Sequence, residues 1–310
     1  APFGVSPIGL QGLVWPNAPE ILAKAALKHN LPFILSTVST SSIERIAEVT
    51  EGKAWFQLYH PAEDSLRDDI LNRLEASGYD VLVLLCDVPS FGFRPRDIRN
   101  GLAMPPKMTL KNIVQVMGRP TWGLNTLYHG IPSFATLKPY TPKGLNMSQL
   151  GQYMNRTFAG RLNPDKIAPI RERWKGKIIL KGCATVEDAD MAVALGIDGL
   201  LVSNHGGRQL DSAPATIDIL PLIRAAVGPD YPLIFDSGVR NGDDIIKALA
   251  YGADFVMLGR PFMFALGADA EKGVRSLVRV LADEISVSMA QIGVNNIASL
   301  TNDVVVKTGQ

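Results

Sequence analysis

The chain has 310 residues, 46% hydrophobic and 20% charged, enough apolar material for a sizeable core. Its formal net charge of +1 gives no basis for binding nucleic acid through bulk electrostatics. No apolar run approaches the ~20 residues of a membrane-spanning helix. The two cysteines, Cys86 and Cys183, support neither a disulfide framework nor a metal site; both fall near strand ends and read as small buried hydrophobes.

Short apolar runs alternate with helix-like segments along the whole chain. Strands are predicted near 3–7, 32–38, 54–59, 81–87, 177–182, 199–204, 233–237 and 255–259. Helices are predicted at 18–29, 42–49, 63–77, 164–174, 185–195, 214–227 and 242–251, with a long amphipathic pattern from Ala270 to Ile292. Thr185-Val-Glu-Asp188 and Asn241-Gly-Asp-Asp244 read as capped helix starts, with acidic residues facing the helix dipole. Eight β/α units point to one α/β domain, a (β/α)8 TIM barrel over 1–310. A doubly wound open sheet uses the same alternation and stays open at this level.

The connection from the fourth strand to the fifth is too long for a barrel loop, and approximately 93–163 is read as an insertion or lid. It contains Met104-Pro-Pro-Lys-Met108, Pro120-Thr-Trp122 and Pro139-Tyr-Thr-Pro142, mixed with Lys107, Lys111, Arg119, Lys138 and Lys143. A lid, an oligomer contact and a segment lying on an anionic bilayer all fit this composition.

Nearly every predicted strand ends in a polar or titratable residue: Ser36, Gln57 and Tyr59, Asp87, Lys181, Ser203 and His205, Asp236, and Arg260. In a barrel these ends share one face, where catalytic groups gather. The densest stretch is Gly199-Leu-Leu-Val-Ser-Asn-His-Gly-Gly-Arg-Gln-Leu-Asp211. There a buried strand delivers an imidazole and a guanidinium, His205 and Arg208, beside two glycines that let backbone approach a ligand. Asp236-Ser-Gly-Val-Arg240 and Gly259-Arg260 follow the seventh and eighth strands, where barrels commonly hold a phosphate. Lys181 on its buried strand reads as a Schiff-base nucleophile, a charge beside a developing anion, or a snorkelling side chain.

These motifs resemble, along essentially the whole chain, the FMN-dependent α-hydroxy acid dehydrogenases and oxidases. The resemblance implies FMN as cofactor, no metal, and oxidation of an (S)-2-hydroxy acid to the 2-oxo acid. It implies His205 as catalytic base, Asp87 as its carboxylate partner, and Tyr59 beside the carbon that bears the hydroxyl. Arg94 and Arg208 match the clamp on the substrate carboxylate, with Arg96 as the neighbouring rival to Arg94. On the cofactor side, Pro7, Ile8 and Gly9 match the backbone along the flavin ring. Ser36, Gln57 and Ser203 match its hydrogen-bonding partners, and Lys181 the cation beside it. Asp236, Gly238, Arg240, Gly259 and Arg260 match the phosphate end.

The family's habits also imply a homotetramer and a cytoplasmic enzyme, peripheral on the inner face of the membrane where Trp122 to Pro132 resembles the insertion of membrane-associated members. Gly9, where oxidases commonly have alanine, and the long insertion lean toward a dehydrogenase passing electrons to a quinone or other acceptor. A soluble oxidase making hydrogen peroxide is the close alternative, and a Schiff-base aldolase or isomerase using Lys181 a further one. Three departures stand out. The chain begins Ala1-Pro2-Phe3, and the family's leading segment, with a tyrosine that binds the substrate carboxylate, is expected to be absent. Leu85 replaces a threonine that touches the flavin, and Val38 replaces the tryptophan of glycolate oxidase, which implies room for a lactate- or mandelate-like acid.

Overall fold

The computed structural model describes residues 1–90, 94, 98–100, 109–130, 132–145, 147–158 and 161–306. Its eight strands are β1 (Phe3–Val5), β2 (Ile34–Ser36), β3 (Trp55–Leu58), β4 (Val81–Leu85), β5 (Lys177–Cys183), β6 (Gly199–Val202), β7 (Leu233–Phe235) and β8 (Phe255–Leu258). Their order is β1-β8-β7-β6-β5-β4-β3-β2, all parallel. A parallel bridge from Val5 to Phe33, with Val5 N donating to Pro32 O at 2.9 Å, joins the two outer strands. That contact closes the sheet into a (β/α)8 barrel and removes the open-sheet alternative.

Helices follow the strands: α1 (Ala18–Lys28), α2 (Ile43–Thr50) and α3 (Asp64–Ala76) in the first half. The second half has α7 (Pro164–Arg173), α8 (Val186–Ala194), α9 (Thr216–Val227) and α10 (Gly242–Ala250). The two capped starts form as the sequence predicts: the Thr185 hydroxyl accepts from Asp188 N at 3.1 Å, and the Asn241 amide oxygen from Asp244 N at 2.9 Å. Between β4 and β5 lie α4 (Leu110–Met117), α5 (Pro120–His129) and α6 (Met147–Thr157), for which the sequence reading placed no helices. The last helix, α11 (Arg260–Gln291), begins ten residues before the predicted Ala270 and is broken at Asp269 and Ala270, where Ala270 has φ +44°. Pro261 favours this earlier start, because a proline in the first turn lacks only an N–H that would be unpaired anyway.

Two apolar layers hold the barrel. Ile34, Val83, Ile179, Leu201, Ile234 and Met257 fill its interior. The outward-facing residues, such as Phe56, Leu82, Ile178 and Leu200, pack against the helices in the larger cluster. Strand side chains alternate faces, so the inward series fixes what comes above it.

Candidate active site

Two residues beyond each inward apolar residue, the same face of the strand presents the next layer. Ile34 leads to Ser36, Trp55 to Gln57, Val83 to Leu85, Ile179 to Lys181, Leu201 to Ser203 and Ile234 to Asp236. A second step reaches Tyr59, Asp87 and His205. The period of two therefore stacks an apolar plug, a mostly polar ring and a titratable rim at the carboxyl end of the barrel. Ser36, Gln57, Lys181, Ser203 and Asp236 are all buried.

Lys181 lies at the centre of this ring. Its Nζ donates to Ser203 Oγ at 2.7 Å and lies 3.5 Å from Asp236 Oδ2 and 3.9 Å from Asp87 Oδ2. Burial favours the neutral amine, but the facing Asp236 and Asp87 carboxylates outweigh it and raise the Lys181 pKa. An ammonium held this way is a fixed positive charge, which leaves the Schiff-base reading without support. Burial likewise works to raise the Asp87 pKa; the Lys181 charge and the His205 hydrogen bond win, and the carboxyl is held below its ordinary range.

Both Asp87 oxygens lie 3.2 Å from His205 Nδ1. With Asp87 ionised, Nδ1 carries the proton and Nε2 keeps its lone pair. Gly182 makes room for this carboxylate, since a Cβ there would stand 2.6 Å from Asp87 Cβ. The His205 backbone is left-handed, with φ +57°, a conformation that costs roughly 1–2 kcal/mol in a residue with a Cβ. Local hydrogen bonds hold it there: His205 N donates to Ser203 Oγ at 3.1 Å, and the Asn204 side chain accepts from Gly207 N at 3.1 Å. Ser237, itself at φ +84°, accepts from Asn204 N at 3.2 Å and Gly206 N at 3.0 Å.

Arg94 and Arg208 reach the same rim. Arg94 Nε donates to Arg208 O at 3.2 Å and Nη2 to Gln209 Oε1 at 3.1 Å, and Gln209 Nε2 donates to Ser90 O at 3.0 Å. Burial and the Asp87 charge push the Tyr59 hydroxyl well above its usual pKa, while Arg94 and Arg208 pull the other way. Tyr59 is thus a neutral hydrogen-bonding group surrounded by the carboxylate and both guanidinium groups. Arg96, the rival to Arg94, lies outside the described residues, as do Lys107 and the Met104–Met108 stretch.

The far end is cationic. Arg260 Nη2 donates to Gly206 O at 3.0 Å, and burial together with the nearby Arg240 and Arg208 charges lowers its pKa. Three neighbouring guanidinium groups are suited to a shared anion. Gly238, at φ +83°, leaves open space beside them; a Cβ there would meet nothing within 4 Å. Pro7, Ile8 and Gly9 run along the rim after β1, and a Cβ on Gly9 would lie 2.7 Å from Val38 Cγ2. Ile8 reaches Gly259, whose added Cβ would stand 3.9 Å from Ile8 Cδ1. A buried ammonium in the barrel mouth, a polar ring around it and a guanidinium cluster at one side fit the ring and the phosphate of FMN.

Three residues escaped the sequence reading. Ser6 donates to Asp236 Oδ2 at 3.4 Å across 230 residues of chain, and Ser237 donates to Asp236 Oδ1 at 2.9 Å. Gln209 ties Arg94 to the loop at Ser90. No local signal marks a serine at positive φ or a hydroxyl that acts through a distant carboxylate.

In sequence and fold the chain is similar to known proteins. The family profile described as FMN-dependent dehydrogenase matches residues 1–307. The chain is 38% identical over 302 residues to (S)-mandelate dehydrogenase of Pseudomonas putida, covering 97% of this chain and 76% of that protein. It is 37% identical over 307 residues to L-lactate dehydrogenase of Pseudomonas syringae pv. syringae, covering 99% and 80%. Among solved structures, monotopic membrane protein (S)-mandelate dehydrogenase superposes with a TM-score of 0.91 at 37% identity, over 98% of this chain and 80% of that one. A mandelate oxidase superposes with a TM-score of 0.79 at 33% identity, over 96% and 77%. The chain belongs to the FMN-dependent dehydrogenase family.

Proposed function

We propose that the chain oxidises an (S)-2-hydroxy acid of lactate or mandelate type to the 2-oxo acid. The observation that carries this reading is the His205–Asp87 pair at 3.2 Å, set beside Tyr59, Arg94 and Arg208 on the rim above a buried ammonium. Arg94 and Arg208 bind the substrate carboxylate, a task suited to forked guanidinium groups. Tyr59 donates its hydroxyl proton as a hydrogen bond near the carbon that bears the substrate's hydroxyl. His205 takes a substrate proton at Nε2, from the hydroxyl or from the α-carbon, and Asp87 stabilises the resulting imidazolium. Lys181 keeps a positive charge where negative charge develops. FMN, when bound, supplies the two-electron acceptor.

Pro7, Ile8, Gly9, Ser36, Gln57, Lys181 and Ser203 hold the ring and its chain in this reading. Gly238, Arg240, Gly259 and Arg260 hold the phosphate. Asp236 acts one step back, by fixing Lys181.

Electrons then pass to a quinone or another non-oxygen acceptor rather than to oxygen. The relatives named as dehydrogenases and the glycine at position 9 support that choice. The stretch 93–163 serves as an insertion that rests on the inner face of the cytoplasmic membrane. Supporting this are the exposed Leu110, Val114 and Met117 of α4 and Leu124, Leu127 and Tyr128 of α5. Among the described residues no helix is long and apolar enough to cross a membrane, and the structural relative described as monotopic fits surface attachment. The family's homotetramer completes the reading.

The test is an absorbance spectrum of the FMN-loaded protein before and after anaerobic addition of L-lactate and (S)-mandelate. Bleaching of the flavin bands is expected with at least one of them. Bands unchanged by both, and by a panel of other 2-hydroxy acids, would overturn the reaction class. Stoichiometric peroxide in air would replace the dehydrogenase with the oxidase.

A further inference from the structure

Cys86 and Cys183 are the chain's two cysteines, and both are free thiols. They sit on the two strand ends that carry the charged pair of the site. Cys86 directly precedes Asp87, and Cys183 follows Lys181 by two residues. A regular strand would put Cys183 on the inner face with Lys181. Instead the register of β5 against β6 shifts between Lys181 and Cys183, with Gly182 at φ +105°, a bulge that inserts one residue. Cys183 is thereby turned outward into the cluster between strands and helices, where Cys86 also packs.

The two thiols share this outer face on adjacent strand ends. Cys86 N donates to Lys181 O at 2.9 Å, and its sulfur lies 3.1 Å from the same oxygen. The Cys183 sulfur lies 3.8 Å from Leu180 O, and the neighbouring Cys86 thiol together with burial pushes its pKa up. Continuing the β4/β5 register past Leu85 and Lys181 sets Cys86 opposite Gly182 and makes Cys183 its diagonal neighbour. With strands about 4.8 Å apart and a rise of about 3.3 Å per residue, such neighbours lie roughly 6 Å apart, inside the ~4.4–6.8 Å Cα separation that disulfides span. Cys86 is half-buried and opens on a small cavity also lined by Tyr59, His60, Phe158 and Arg161, whereas Cys183 is fully buried.

His60 gives that cavity a base. Continuing the β3/β4 register two residues past Leu58 and Leu84 sets His60 beside Cys86. The imidazole is 4% exposed, and neither ring nitrogen has a hydrogen-bond partner of normal geometry among the described residues; only the backbone at Pro61 offers a weak one. Burial, with the Lys166 charge, keeps it neutral by lowering its pKa.

We propose that Cys86 and Cys183 form a peroxide-responsive dithiol that closes to a disulfide and switches the site off. The Cys86 proton passes to His60 as its sulfur attacks one peroxide oxygen. The O–O bond breaks, the departing hydroxide takes that proton and leaves as water, and Cys86 becomes a sulfenic acid. The Cys183 sulfur then attacks the Cys86 sulfur, the S–O bond breaks, and a second water leaves with the Cys183 proton. Two thiols and one peroxide become one disulfide and two waters, with two electrons passing from sulfur to oxygen. Catalysis responds because Asp87 and Gly182 are already in direct contact, so drawing the two strand ends together moves Asp87 against Lys181 and His205.

The experiment treats FMN-loaded protein, without substrate, with a small excess of hydrogen peroxide, then catalase. Remaining thiols are alkylated under denaturing conditions, peptides are weighed, and activity is assayed in parallel. The expected result is one cross-linked peptide pair joining Cys86 to Cys183. Activity should fall about tenfold or more in step with the cross-link, and both should reverse with dithiothreitol. Cys86 carried to the sulfinic acid while Cys183 remains alkylatable would overturn the proposal, and so would a cross-link that leaves activity unchanged. The double variant Cys86→Ala/Cys183→Ala is expected to resist the same peroxide treatment; a loss equal to the unsubstituted protein's would also overturn it. The cross-link is read by mass, so its failure is distinguishable from a failure of the 2-hydroxy acid reading.

Discussion

Asp87 meets His205 with both carboxylate oxygens 3.2 Å from Nδ1, from positions 118 residues apart in the chain. The contact does two things. It selects the tautomer that leaves Nε2 free to accept a proton, and it supplies a counter-charge once the ring is protonated. Asp87→Asn keeps the shape but presents an amide, which supports neither. The expected outcome is a fall in kcat/KM of about 10²- to 10⁴-fold with FMN still bound, measured as the rate of anaerobic flavin bleaching. A loss of less than tenfold would remove His205–Asp87 as the acid-base pair.

The clamp makes a different prediction. Arg208→Met removes a charge-assisted contact worth roughly 1.5–3 kcal/mol, so KM for a 2-hydroxy acid should rise about 10- to 100-fold. Arg94→Lys should fail to restore normal KM, because an ammonium cannot reproduce two parallel N–H contacts. Steady-state kinetics with (S)-mandelate on both variants decides it. An unchanged KM in Arg208→Met would place the carboxylate elsewhere.

The Lys181 charge is visible in acid unfolding. Asp87 has a folded pKa below its unfolded value, so its contribution to stability is complete above about pH 3.9 and is lost as pH falls through the lower folded value. Lys181→Met removes the strongest opponent of burial at Asp87 and raises that folded value. Acid unfolding followed by near-ultraviolet circular dichroism should therefore begin at higher pH in the variant. Coincident curves would mean that Lys181 does not set the Asp87 titration.

Gly9 and Val38 should be thermodynamically coupled. A methyl on Gly9 would stand 2.7 Å from Val38 Cγ2, a clash that one side must relieve. Gly9→Ala alone is expected to cost about 1–3 kcal/mol, and Gly9→Ala with Val38→Ala distinctly less than the sum of the two single changes. Urea unfolding of the four proteins in the cycle provides the measurement, and strict additivity would show that the rim relaxes freely.

Leu124 and Leu127 on α5 are 67% and 81% exposed, too far into solvent to support the barrel core. Leu124→Asp with Leu127→Asp should leave the unfolding curve nearly unmoved while abolishing sedimentation with anionic vesicles. Undiminished sedimentation would take this helix out of the membrane contact.

Much of this protein is determined by sequence alone. Buried parallel strands are apolar runs, and their period of two places Gln57, Lys181, Asp87 and His205 on one face of the barrel before any coordinates are known. Repeating that step in six strands makes most of the polar ring legible, because each inference spans only two to four residues. The final helix was read less well: its first half hides behind Pro261 and the break at Ala270, which interrupts the periodic pattern.

Tertiary structure decided the rest, for the reason that the rest depends on register and on backbone signs that side-chain identity does not encode. Ser6 reaches Asp236 only because closing the barrel brings β1 back to the far strands. Ser237 supports the His205 loop from a left-handed conformation that nothing in its neighbours announces. Cys86 and Cys183 read as two separate small hydrophobes until the bulge at Gly182 turns Cys183 onto the outer face where Cys86 also packs. Periodicity says which face of a strand a residue occupies; only the closed barrel says which residue on the next strand it meets.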